Sequence, residues 1–412
     1  MASSASDPSP VALLRDGGFR GLWIAGAAMF FVRWMDVLVI GVFTYQQTSS
    51  AFLVASMMML RLVPLSLFGV LFGVVAARVD RKTGVAVMVG VLLASTSALL
   101  ALALIGRLEV WHLGVTSFVN GVAWASDHSF RRALIGDIAG PSRMGRAMAW
   151  DVGASNASRL AGPSVGGLLL AYAGVTAVFA LAVLLYVVGL IAVLRLPRAP
   201  AAPRGGARSS LRQTLAAGFV AARASPRLTG TLWITMLYNL FGWPVLSMIP
   251  VIGKDRLGLA AGGIGVLASM DGIGSLIGAI VCASIARPAR YGQLYVSGVV
   301  CSMVMVPLFS LSTHVLLTAA ALFAVGVGQS AFAVMQSTIV YVAAPPDRRM
   351  QAMGLLTMCI GIGPLGFITL GVLAERIGAP YAAATCAVTG LAVLAVSYRI
   401  WGACWRQDGR SN

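Results

Sequence analysis

Residues Arg195–Arg227 read RLPRAPAAPRGGARSSLRQTLAAGFVAARASPR. The stretch carries Arg195, Arg198, Arg204, Arg208, Arg212, Arg223 and Arg227 and no acidic residue. About 195 and 185 residues of mostly apolar sequence flank it. Lys and Arg are retained on the cytoplasmic side of a bilayer, so a basic, Pro/Gly/Ala-rich segment between two apolar halves reads as a cytoplasmic linker. Its second part, 209–224, has the pattern of a short basic amphipathic helix on a membrane surface. The blander alternative is a solvated linker whose charge only sets topology.

Outward from the linker, the composition is that of a polytopic membrane protein. The 412 residues are 58% hydrophobic and 10% charged, with a mean hydropathy of +0.88. An ordinary soluble domain is about 25% charged. A net charge of +17 would suggest nucleic acid as partner in a soluble protein. Here the basic residues sit in short loops between apolar runs, so the expected partner is the lipid bilayer and not nucleic acid. Residues 1–10 form a polar tail without the pattern of a cleaved signal. The cysteines, Cys282, Cys301, Cys359, Cys386 and Cys404, lie in or beside apolar runs and form no CxxC pair. They read as small apolar fillers, and no metal site or cofactor is expected.

A spanning helix needs about 20 apolar residues. That ruler gives twelve spans, at 20–45, 51–77, 84–106, 110–138, 147–172 and 175–195, then 229–252, 259–285, 292–312, 315–342, 352–373 and 379–401. Turn residues punctuate them, among them Gly106, Gly140-Pro141, Gly174 and Gly378-Ala379-Pro380. The expected domains are a tail at 1–19, a six-helix bundle at 20–195, the linker at 196–228, a second bundle at 229–401 and a tail at 402–412. With that topology 21 basic residues fall on the linker face and four (Arg107, Lys254, Arg256, Arg376) on the other. The bias puts both termini in the cytoplasm of a multi-pass plasma-membrane protein.

The halves repeat. At an offset of 205, Gly73 meets Gly278, Lys82 meets Arg287 and Gly121 meets Gly326. Ala139, Pro141, Arg143, Ala147 and Met148 meet Ala344, Pro346, Arg348, Ala352 and Met353 without a gap. A duplicated helical unit is a common plan for alternating-access carriers, with a site at the midplane between the halves.

On these features the chain resembles the major facilitator superfamily over nearly its whole length. The family's loop signature after span 2, G-x-x-x-D-R-x-G-R-R/K, is matched by Gly73, Arg78, Arg81 and Lys82. Ala77 stands in place of its Asp and Asp80 in place of its second Gly. The resemblance implies that this loop gates the cytoplasmic side through charge pairs. Gly162-Pro163-Ser164-Val165-Gly166-Gly167 is similar to the family's antiporter signature in span 5, which implies export. Small residues there let helix backbones approach closely. Ser117 replaces the Arg that proton-coupled drug exporters often keep in span 4. Two stretches, Phe31–Asp36 with Tyr45–Ser50 and Arg61–Pro64, look like the branch of bacterial efflux carriers that includes enterobactin exporters.

Ionised side chains inside a bilayer cost several kcal/mol or more, so each is a functional candidate. Arg33 and Asp36 share a face of span 1 and are expected to neutralise each other. At 1.5 Å per residue they lie about 18 and 22 Å from Gly21, near or beyond the midplane. Span 4 carries Asp127, His128, Arg131 and Arg132; span 2 carries Arg61, and span 5 carries Asp151 and Arg159. Asp271 lies midway along span 8, and the family fold makes Arg159 its expected partner. Asp36, Asp271 and Asp127 are the candidate proton carriers. The candidate substrate contacts are Arg33 and Arg131 in the first half and Tyr238, Asn239, Trp243, Gln329 and Gln336 in the second. Trp243-Pro244 predicts a kink in span 7.

The reading is an all-α integral membrane protein with twelve transmembrane helices in two six-helix bundles. It is expected to export a small organic molecule, such as a siderophore, drug or secondary metabolite, by exchange with protons. The alternatives are an importer or facilitator of a metabolite and, remotely, a lipid-modifying membrane enzyme. The three histidines stand apart and no paired-Asp motif occurs, which disfavours the enzyme. No G-x-x-x-x-G-K-[ST] loop is present for an ATP-driven pump.

Overall fold

Asp16 starts span 1 by accepting hydrogen bonds from the Gly18 and Phe19 amides at 3.0 and 3.3 Å, an N-cap that satisfies two otherwise free donors. The helix runs Gly17–Thr48 and stops at Ser49, whose left-handed backbone (φ 52°) turns the chain. A computed structural model describes residues 12–76, 79–127, 129–196, 225–345 and 348–405. The body of the linker, including the helix expected at 209–224, lies outside these residues, as do Arg78 and His128.

Every regular element among the described residues is helical. Span 2 is Ala51–Ala76 and span 3 is Arg81–Leu104. Span 4 begins as Val110–Asp127 and resumes at Arg131. One helical stretch, Arg131–Leu194, then holds the rest of span 4 together with spans 5 and 6. Gly140 (φ 69°) and Gly174 (φ 76°) break it into separate helices. Positive φ at these turns is open to glycine at little cost. In the second half, span 7 is Pro226–Leu237, a π-turn Tyr238–Gly242, a 3-10 segment Trp243–Met248 and Ile249–Asp255. Span 8 is Ala261–Ile285, span 9 Tyr291–Leu311 and span 10 Val315–Ala343. Span 11 is split into Arg349–Ile360 and Gly363–Ile377, and span 12 is Ala379–Val396. A short helix, Tyr398–Trp405, follows it.

Ten of the described helices are long and apolar enough to cross a membrane. Gly174 divides one of these into two spans, and the interrupted span 4 completes the twelve. The sequence reading of span 4 as continuous over 110–138 is therefore corrected. The break falls in the polar run Asp127–Arg132, which the sequence reading took as charges within one span. Span 12 likewise ends at Val396, not 401.

Each half has its own apolar core. Phe19, Met35, Val85, Leu134 and Tyr186 belong to the first, and Tyr295, Val299, Phe332 and Trp401 to the second. A third cluster joins the halves: Leu38, Val42 and Val54 pack with Val245, Ile252 and Leu370. It lies toward the end of the molecule opposite the linker, called here the far end. Tyr172, Leu316 and Val396 stand almost fully exposed on the outer surface, as lipid-facing side chains do.

The duplication is visible in packing. A Cβ on Gly121 would meet the Arg61 carbonyl, and one on Gly326 the Asp271 carbonyl. Spans 4 and 2 thus approach as spans 10 and 8 do. Arg131 sits over the Phe30 ring at 4.7 Å, and Gln336 donates to Thr235 at 2.9 Å. Those two pairs occupy corresponding positions at the 205-residue offset.

Candidate functional site

Spans 1, 2, 4 and 5 of the first half and spans 7 and 8 of the second enclose a cavity of about 690 Å³, including its open mouth. Its charged lining is Asp36, Arg61, Arg159 and Asp271. Trp34, Met57, Met58, Leu246 and Pro250 give it apolar walls, and Ser117 and Ser247 add hydroxyls. Counting 1.5 Å per residue from the far ends of their helices, Arg61 and Asp271 lie about 15 Å deep and Asp36 about 18 Å. The charges therefore share one depth.

Arg159 bridges the halves. Its guanidinium donates to Asp271 at 2.6 and 3.0 Å, to Ser275 at 3.1 Å and to Gln329, and it lies 5.1 Å from the Trp34 ring centre. Asp271 Oδ1 nevertheless has no hydrogen-bond partner. Arg61 donates through Nη1 to the Arg33 carbonyl at 3.0 Å, while its Nη2 has no partner. Asp36 Oδ1 is also without one. Asp36, Arg61 and Asp271 are 2%, 2% and 5% exposed.

The expected Arg33–Asp36 pair does not form. Arg33 lies over the rings of Trp124 (4.9 Å) and Phe30 (5.5 Å). Cation–π contact with these aromatic faces holds its charge away from Asp36, and Arg61 faces the cavity beside Asp36 instead.

The remaining candidates have other neighbours. Arg131 is fully buried between Asp127, at 2.5 Å, and Asp151. Asp151 is a partner that spacing alone does not reveal, since it comes from the next span. Asn239 donates to the Thr235 carbonyl at 2.8 Å, and the Tyr238 ring packs at a tilt on Phe332, 4.3 Å between centres. Trp243 meets Phe367 edge-on at 5.9 Å. None of the seven expected substrate contacts lines the cavity; Gln329 reaches it only through Arg159. Sequence reasoning singled out Asp36, Asp271, Arg61 and Arg159 as costly charges, but not the joint lining.

The antiporter-like motif packs span 5 between spans 1 and 8. A Cβ on Gly162 would lie 2.9 Å from the Trp34 side chain, and one on Gly166 2.7 Å from that of Met35. A Cβ on Gly167 would lie 2.6 Å from the Ala261 carbonyl. Pro163 itself lines the cavity. The loop motif is tied down within the first half. Asp80 caps span 3, Arg81 pairs with Asp137 at 2.5 Å, and Lys82 donates to the Leu194 and Leu196 carbonyls. Gly73 lies in span 2. Asp137, the partner of Arg81, escaped the sequence reading.

At the far end polar contacts cross between the halves. The Tyr45 hydroxyl bonds to Asp255, and Lys254 lies 5.1 Å from the Tyr45 ring centre. Glu375 accepts from the Ser50 hydroxyl at 2.5 Å and the Phe52 amide at 3.1 Å.

A model of the family described as transmembrane secretion effector matches residues 8–408. The chain is 29% identical over 235 residues to the enterobactin exporter EntS of Shigella flexneri, covering 57% of this chain and 55% of that protein. It is 22% identical over 242 residues to macrolide efflux protein A of Streptococcus pyogenes, covering 58% and 59%. The matches thus span little more than half the length of either relative. The fold is similar to that of the nucleoside transporter NupG (TM-score 0.75, 13% identity, 93% of this chain and 98% of that one). It is also similar to a bacterial homologue of the human lysosomal transporter Spinster (TM-score 0.69, 15% identity, 94% and 97%).

Proposed function

As the chain belongs to the transmembrane secretion effector family of the major facilitator superfamily, we propose that it exports a small amphipathic organic molecule from the cytoplasm by alternating access, in exchange for protons. The observation that carries this reading is the charged cavity between the halves, closed at the far end by Tyr45–Asp255, Ser50–Glu375 and the shared apolar cluster. With the linker face cytoplasmic, closure at the far end is the feature expected of an inward-facing carrier. Two similar proteins named as an exporter and an efflux protein favour the outward direction.

Asp36 is the proposed proton carrier, because it lines the cavity and its Oδ1 has no competing donor. Asp271 is second, since Arg159 already neutralises it. Asp127, bound to Arg131 outside the cavity, is third. Arg33 and Trp243, only half-buried, are the expected substrate contacts that remain partly accessible. Arg81 and Lys82 act in gating by holding the loop after span 2 against spans 4 and 6.

The test is an accumulation panel of siderophores, macrolides and other amphipathic compounds in cells with and without the protein. Export predicts lower accumulation of at least one compound, an effect lost with a protonophore and in Asp36→Asn. Raised accumulation would make the protein an importer. Unchanged, protonophore-sensitive export by Asp36→Asn would remove Asp36 from the coupling.

A further inference from the structure

The carrier reading leaves open what chemistry the cavity recognises. On that reading, we infer that the substrate is a zwitterion: a compact molecule with an apolar body, one ammonium-type donor and one carboxylate-type acceptor, and no net charge.

Three atoms carry the inference. Asp36 Oδ1, Arg61 Nη2 and Asp271 Oδ1 belong to side chains at least nine-tenths buried, all three side chains line the same cavity, and none of the three atoms has a hydrogen-bond partner. Buried polar atoms are nearly always paired, so three orphans on one cavity mark a site built for a ligand. The two oxygens accept and the nitrogen donates. A single ligand completes the set only if it brings donors to the acids and an acceptor to Arg61.

Charge narrows the choice. The lining holds two acids, Asp36 and Asp271, and two arginines, Arg61 and Arg159, so its formal sum is zero. The chain as a whole carries +17, so this neutrality is local. Arg159 and Asp271 neutralise each other at 2.6 Å. Asp36 and Arg61 form no ion pair among the described residues and face the cavity as separate opposite charges. A cation would satisfy Asp36, leave Arg61 Nη2 bare and bring a net charge into a neutral chamber. An anion would do the reverse. A proton on Asp36 answers one orphan of the three. The walls of Trp34, Met57 and Met58 suit an apolar body.

The experiment uses the full chain in lipid nanodiscs and one apolar body in four charge states. The probes are leucyl-phenylalanine (zwitterion), its C-terminal amide (cation), its N-acetyl form (anion) and the N-acetyl amide (neutral). Binding is read by calorimetry near neutral pH. The zwitterion is expected to bind at least about tenfold more tightly than each of the others, because a site that hydrogen-bonds a group rejects analogues lacking it. Asp36→Asn is expected to bring the N-acetyl form level with the zwitterion. Arg61→Gln is expected to bring the amide level, and Arg61→Lys to restore the original order. Equal binding of the four probes within threefold, tightest binding of the cation or the anion, or no binding of the zwitterion at millimolar concentration would overturn the inference. The wild-type ranking needs no variant, so a variant that fails to fold leaves the test intact. Zwitterion selectivity without cellular export would sink the carrier reading alone; export with a reversed ranking would sink the inference alone.

Discussion

Arg159 of span 5 pairs with Asp271 of span 8 at 2.6 Å, and this buried ion pair crosses from one half of the molecule to the other. Spans 5 and 8 stay together at this point through backbone contact as well, since Gly272 packs on the Arg159 carbonyl. The pair thus ties the two halves together at the cavity wall.

Removing one member leaves an uncompensated charge in a low-dielectric setting, which costs about 3–5 kcal/mol. Arg159→Met and Asp271→Leu are each expected to lower the melting temperature in detergent clearly. The double variant, which replaces the pair by apolar groups, is expected to recover most of the loss. A double variant less stable than either single one would mean that the pair is not the coupled unit described.

Two glycines on span 5 offer a matched comparison. Gly153 is exposed and a Cβ there meets nothing within 4 Å, whereas a Cβ on Gly167 would press on the Ala261 carbonyl. Gly153→Ala is expected to be neutral or to stabilise by up to about 1 kcal/mol through helix propensity. Gly167→Ala is expected to cost about 1–3 kcal/mol through overpacking. Thermal melts of both variants check this, and equal effects would contradict the close approach of spans 5 and 8.

The far-end closure depends on Tyr45. Its hydroxyl donates to a carboxylate, a bond to a charged group that contributes about 1.5–3 kcal/mol. Tyr45→Phe is expected to raise the far-open population about tenfold or more. The readout is the rate at which a membrane-impermeant maleimide, added from the far face, labels Met58→Cys in a background without the five native cysteines. An unchanged rate would show that this bond does not hold the gate.

Much of this was legible in the sequence, and the limits have physical causes. Apolar runs fixed the spans, and Gly106, Gly140, Gly174 and Gly378 marked turns that do adopt positive φ. Trp243-Pro244 announced the irregular backbone of span 7. The cost of charge in lipid singled out Asp36, Arg61, Arg159 and Asp271. Their grouping did not follow from spacing, because the cavity draws them from four different spans. Nor did the pairing of Arg131 with Asp151, or of Arg81 with Asp137, since each joins residues of different helices. For Arg33 a one-helix argument reaches only the i+3 neighbour, and the Trp124 ring on span 4 lies outside it. The break in span 4 carries no glycine or proline between Asp127 and Arg131, only a polar run that reads equally as buried charge.

The most direct check of the account is the side from which its cavity opens. Met58 lines that cavity and is only half-buried. In the cysteine-replaced background, Met58→Cys is exposed to the impermeant maleimide in right-side-out and in everted membrane vesicles. Fast labelling in everted vesicles, where the cytoplasmic face is outward, with slow labelling in right-side-out vesicles, is the expected result. Fast labelling from the opposite face alone, or no labelling from either, would contradict it.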